Sequence, residues 1–119
     1  MPYGIANKNG QLDENEITKI LDLAWKNNID TLDTAKVYGN SEESIGKYII
    51  KRQESSWNVI TKLNDSRSSF IVQIRSSTEK LNVSSIVVLA HSAELFLNDK
   101  FQSELQKTME KINLLKEKY

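Results

Sequence analysis

Three side chains able to hold, give or accept a proton stand at equal spacing along the chain. Asp33, Lys62 and His91 are separated by 29 and 29 residues. Each ends a short run with strand character, over 31–34, 57–63 and 86–90. A carboxylate, an ammonium and an imidazole in one place could perform general acid–base chemistry and orient a polar oxygen. Each also has an ordinary alternative. Asp33 with Thr34 could make a turn or cap a helix, Lys62 could be a solvated strand end, and His91 could be structural.

The elements between these residues favour the first reading. Residues 13–27 carry Ile17, Ile20, Leu21, Ala24 and Trp25 at helical spacing. Asp13 and Glu16 resemble a capping box, and Asn27-Asn28 is a stop suited to a left-handed conformation. Ser41 opens a second helix with Glu42 and Glu43 at the favourable end of its dipole and Ile45, Tyr48 and Ile49 as its stripe. Gly46 inside that helix implies a close neighbour. Phe70, Ile71, Ile74 and Leu81 mark a third helix. Residues 86–90 are continuously apolar, the pattern of a parallel strand buried on both faces. A fourth helix begins near Asn98 or Asp99, with Phe101, Leu105, Met109, Ile112 and Leu115 as its stripe. Trp25 and Trp57 read as core residues.

The order is α-β-α-β-α-β-α, which calls for parallel strands joined by right-handed crossovers. One βα unit of a (β/α)8 barrel takes roughly thirty residues, and the ends of its strands form the active face. The 29-residue interval therefore predicts that Asp33, Lys62 and His91 gather on one rim. Counting back from Asp33 by the same interval reaches Gly4, so an earlier strand would end near Tyr3-Gly4 with only Met1 and Pro2 ahead of it. The expected fold is α/β, a partial (β/α)8 TIM barrel over residues 1–119. It has about three parallel strands and four helices, with the first strand and the C-terminal half missing.

Composition narrows the function classes. Lysine plus arginine equals aspartate plus glutamate, 16 each, so no electrostatic case exists for nucleic acid or an anionic membrane. The chain has no cysteine, which excludes a disulfide scaffold and thiolate metal sites and fits the cytoplasm. The opening residues lack a signal-peptide core, and the longest apolar run is too short to span a bilayer. Neither a glycine-rich phosphate loop nor a metal motif is present.

The segment Ile29-Asp30-Thr31-Leu32-Asp33-Thr34-Ala35, continued by Val37-Tyr38-Gly39-Asn40-Ser41-Glu42, resembles the signature of the aldo-keto reductases. Asn28 stands where that family usually has glycine. Val59-Ile60-Thr61-Lys62 resembles the family's lysine strand. Ile86-Val87-Val88-Leu89-Ala90-His91 resembles its histidine strand, with Ala90 in place of a larger apolar residue. The opening Tyr3-Gly4-Ile5-Ala6-Asn7 is similar to the region after its first strand.

The resemblance implies an oxidoreductase that reduces a small-molecule carbonyl to an alcohol with hydride from NADPH. It places the catalytic set on Asp33, Tyr38, Lys62 and His91, with Asp33 also at the cofactor. Tyr38 would be the proton donor. A phenol of pKa about 10 is a poor acid near neutrality, and a neighbouring ammonium corrects that. Lys62 would be that ammonium, Asp33 its partner, and His91 the group that orients the carbonyl oxygen. In the family most dinucleotide contacts come from later strands and loops, so the isolated chain is not expected to be a stable active monomer. Open sheet edges would favour self-association. A catalytically inactive barrel segment serving as a structural or interaction module is the alternative. A flavodoxin-like ligand-binding domain is a third reading, which leaves the aspartate-to-tyrosine motif unexplained.

Overall fold

The computed structural model describes residues 12–52, 56–64 and 68–116 of the chain. The expected strand end at Tyr3-Gly4 and the similar stretch Tyr3 to Asn7 lie outside the described residues. The elements are α1 (Glu14–Lys26), β1 (Thr31–Asp33), α2 (Ser41–Lys51), β2 (Asn58–Leu63), α3 (Phe70–Leu81), β3 (Val87–Ala90), a short 3-10 helix (Ala93–Leu97) and α4 (Asp99–Lys116). The strands form one sheet in the order β1-β2-β3. Both pairings are parallel, with Asp33 opposite Ile60 and Lys62 opposite Leu89. The 3-10 helix was not foreseen from the sequence.

Local chemistry explains the helix ends. The Asp13 carboxylate accepts from the amides of Asn15 and Glu16, each at 2.8 Å, and Glu16 accepts from the Asp13 amide at 3.1 Å. This reciprocal pair satisfies amide donors that the first helical turn leaves unpaired. Asn28 (φ 60°) and Asn82 (φ 53°) follow α1 and α3 in the left-handed conformation, which asparagine tolerates better than most residues. The Asn98 side chain accepts from the Phe101 amide at 3.1 Å and starts α4.

The core lies between one face of the sheet and the helices. Strand β2 alternates with period two: Val59, Thr61 and Leu63 are buried, while Asn58, Ile60 and Lys62 are more exposed. Val59 joins Ile17, Leu21, Ile45, Tyr48, Trp57 and Leu81 in one cluster. Leu63 joins Phe70 and Phe101 in a second. Trp57 is buried, with the Trp25 ring tilted against it at 53° and 5.1 Å between ring centroids. Trp25 is itself half exposed, and Ile20 faces outward. The buried stripe of α1 is thus narrower than its apolar period, because Ile17 and Leu21 take the packing positions. Met109 likewise lies half exposed on α4.

Strand β3 departs from expectation. Its residues alternate in exposure, with Val87 at 53% and Leu89 at 46%. An apolar parallel strand is buried on both faces only when both are covered. Among the described residues the helices cover one face. The other carries Asp33, Ile60, Lys62, Val87 and Leu89 by register. An apolar groove of about 680 Å³ adjoins β3, lined by Val88, Phe96, Leu105 and Met109 among others.

Helices α1 and α2 are tied by charge. Glu14 accepts from Lys47 at 2.9 Å and from Lys51 at 3.1 Å. The Lys47 bond foremost, then that of Lys51, brings the Glu14 carboxyl from 4.5 down to about 2. A folded value below the unfolded one stabilises the fold above pH 4.5, and that contribution fades as the pH falls towards 2. Glu14→Gln is therefore expected to flatten the acid limb of the melting-temperature profile between those two values. Equal slopes for the variant and the parent chain would show that the pair contributes nothing. The effect should shrink in high salt, since all three side chains are well exposed.

Candidate active site at the strand ends

Sheet register places the polar strand ends together. Asp33 closes β1, and the Thr34 amide continues the ladder to the Ile60 carbonyl at 2.8 Å. Lys62 lies two residues beyond Ile60, on the same open face. His91 follows β3 directly, and its amide donates to the Leu63 carbonyl at 2.8 Å. Parallel pairing in near register brings side chains 29 residues apart in sequence to one rim.

The ammonium of Lys62 is the centre of the cluster. It donates to the Asp33 carboxylate and, at 2.9 Å, to the Thr34 carbonyl. Its side chain is only 13% exposed, whereas that of Asp33 is 56% exposed. A shielded cation thus meets a carboxylate that still faces solvent. The same nitrogen lies over the Tyr38 ring, 5.3 Å from its centroid, a distance at which a cation and a ring face attract. The Tyr38 ring meets His91 edge-on, with centroids 6.1 Å apart and planes at 69°. Asp33, Lys62, Tyr38 and His91 therefore form one continuous chain of contacts. All four sequence candidates are brought together.

Tyr38 reaches this cluster from the loop between β1 and α2. Its amide donates to the Ala35 carbonyl at 2.9 Å, and its carbonyl accepts from the Ser41 amide at 3.1 Å. Gly39 then adopts φ 61°. A side chain at that position would meet no neighbour, so the glycine is needed for the backbone conformation rather than for space.

The sequence did not reveal the polar layer behind this rim. Thr34, Ser41, Glu42 and Thr61 are all buried. The Thr34 hydroxyl donates to Ser41 Oγ at 2.9 Å, and the Thr61 hydroxyl donates to Glu42 Oε1 at 2.7 Å. From the sequence Glu42 reads only as an acid of the first helical turn, at the favourable end of the dipole. The available signal was its helical spacing from Ile45 and Ile49, which places it on the apolar face.

With this geometry described, comparison with known proteins gives a family. The model of the aldo/keto reductase family matches residues 2–116. The chain belongs to that family, and its fold is a partial (β/α)8 barrel. Two solved structures from Pseudomonas aeruginosa, each described as an aldo-keto reductase, are similar to it. One has a TM-score of 0.70 and 22% identity, with 93% of this chain and 48% of that one covered. The other has a TM-score of 0.68 and 24% identity, with 84% and 45% covered. The chain spans about half the length of these structures. No curated protein matched. Among the described residues no helix is long and apolar enough to cross a membrane.

Proposed function

We propose that the chain carries the proton-transfer half of an aldo-keto reductase active site, acting in the cytoplasm on a small-molecule carbonyl with NADPH. The contact chain Asp33–Lys62–Tyr38–His91 is the observation that carries this reading. A reduced nicotinamide, when bound, supplies the hydride. Tyr38 gives its hydroxyl proton to the nascent alkoxide and is left as phenolate. Lys62 stabilises that phenolate through its charge. Asp33 holds Lys62 in place and balances its charge, and by the family resemblance it would also be the residue that meets the cofactor. His91, at the edge of the Tyr38 ring, hydrogen-bonds the carbonyl oxygen and fixes its direction. These residues suit the reacting end of the cofactor. The reading assigns the dinucleotide phosphates no residue among those described.

The uncovered face of β3 and the apolar groove between β3 and α4 favour a second reading, a non-catalytic module that covers these surfaces with another copy of itself. A thermal melt of the purified chain with and without NADPH separates the two. Saturation at about 100 times Kd should add about 2.7 kcal/mol to stability, and a clear rise in melting temperature is the expected result. Carbonyl-dependent oxidation of NADPH should accompany it. A cooperative melt indifferent to NADPH, but rising with protein concentration, would favour the self-associating module.

A further inference from the structure

We propose that Glu42 is a positioning residue: the first turn of α2 sets the alignment of Asp33 and Lys62 by gripping Thr34 and Thr61. Its catalytic meaning rests on the function proposed above, while its geometric content does not.

The argument starts from burial. Glu42 is 3% exposed, and a buried carboxylate is costly unless its oxygens are hydrogen-bonded. Here Oε1 accepts from Thr61 at 2.7 Å. Glu42 is also the second residue of α2, where the free amides of a helix start favour negative charge. One residue earlier, Ser41 accepts from Thr34 at 2.9 Å. Continuing the β1–β2 register opposes Thr34 to Thr61, so one helical turn holds two neighbouring strands at the same level.

That level lies immediately behind the reactive pair. Thr34 follows Asp33, Thr61 precedes Lys62, and alternate strand residues point to opposite faces. Each threonine therefore faces α2 while its neighbour faces the rim. Beyond its ladder bond, Thr34 is held by its hydroxyl to Ser41 and by its carbonyl to the Lys62 ammonium. Apolar contacts dominate the two clusters between sheet and helices. Valine would match threonine in shape at these strand positions, so shape alone does not call for hydroxyls. A directional hydrogen bond fixes position along the strand more sharply than apolar contact does.

Native-state labelling of the full chain with an amine-acylating reagent, read peptide by peptide by mass spectrometry, tests this without cofactor or turnover. Lys62 is shielded and should react slowly. Glu42→Ala and Thr61→Val are expected to raise its labelling rate about 2- to 10-fold, the range that loss of one hydrogen bond implies. Exposed Lys47 and Lys51 should keep their rates. Glu42→Gln retains an acceptor oxygen and Thr61→Ser retains a hydroxyl, so both should restore the slow rate. Asp33→Asn, which weakens the pair directly, should raise it and serves as the reference. Thr61→Val keeps the side-chain shape and remains informative if Glu42→Ala does not fold. The proposal fails if Lys62 responds to Asp33→Asn but not to Glu42→Ala or Thr61→Val. It also fails if all lysines accelerate together, or if Glu42→Gln and Thr61→Ser do not rescue. A Lys62 response in a chain that neither binds NADPH nor reduces carbonyls would retire the enzymatic reading and keep the positioning one.

Discussion

Gly46→Ala should destabilise the chain, although alanine is the better helix former. In an exposed helix interior this substitution gains about 1 kcal/mol. Here an added methyl carbon would lie 1.9 Å from the carbonyl oxygen of Lys80, and 3.0 Å and 3.1 Å from the carbonyl carbons of Lys80 and Leu81. The obstacle is the backbone of α3, which cannot rotate away as a side chain can. Relief requires moving the helix that buries Phe70 and Leu81. Overpacking of a core typically costs about 1–3 kcal/mol, and a rigid backbone obstacle belongs at the upper end or beyond. The expected net loss is at least about 2 kcal/mol, a fall of roughly 8 °C or more in melting temperature for a domain near this size. A thermal melt beside the parent chain decides it. An unchanged or raised melting temperature would mean that α2 and α3 do not approach as closely as described.

Tyr38→Phe tests the proposed chemistry with the largest expected effect on rate. The substitution removes one oxygen and keeps the ring, so the ring–ring contact with His91 and the ring–ammonium contact with Lys62 can persist. Folding should be preserved, with a melting temperature close to that of the parent. A positioned proton donor contributes about 10²- to 10⁴-fold, and a loss of that size in kcat for carbonyl reduction is expected. KM for the carbonyl should change much less, because proton donation matters in the transition state rather than in ground-state binding. If the variant reduces carbonyls at the parent rate, the proton comes from elsewhere and the assignment of Tyr38 is wrong. Lys62→Met should also lower the rate, since the phenolate would lose its adjacent cation, and Glu42→Ala should do so through displacement of Lys62.

Much of the site was legible in the sequence, for a geometric reason. A parallel βα repeat returns to the same height of the sheet once per unit. An equal interval between polar strand ends therefore means one rim, and Asp33, Lys62 and His91 meet there. Tyr38 was readable only through its likeness to a family motif, because a loop has no periodicity to place it. Local signals were similarly dependable. The capping box at Asp13, the left-handed Asn28 and the close approach at Gly46 each follow from side-chain chemistry within a few residues or from the absence of a side chain.

The order of the elements, their axial level and the gathering of the polar strand ends all follow from pattern along the chain. Tertiary structure alone decided which faces are covered. The apolar run into β3 suggested two buried faces, yet Val87 and Leu89 lie open because coverage depends on neighbours that a strand's own residues do not encode. The same holds in reverse for Glu42. Its place at a helix start accounts for its charge, and only the packing of α2 over β1 and β2 buries it against Thr61. Periodicity records where a side chain points, but its environment is set by what the rest of the chain brings to that place.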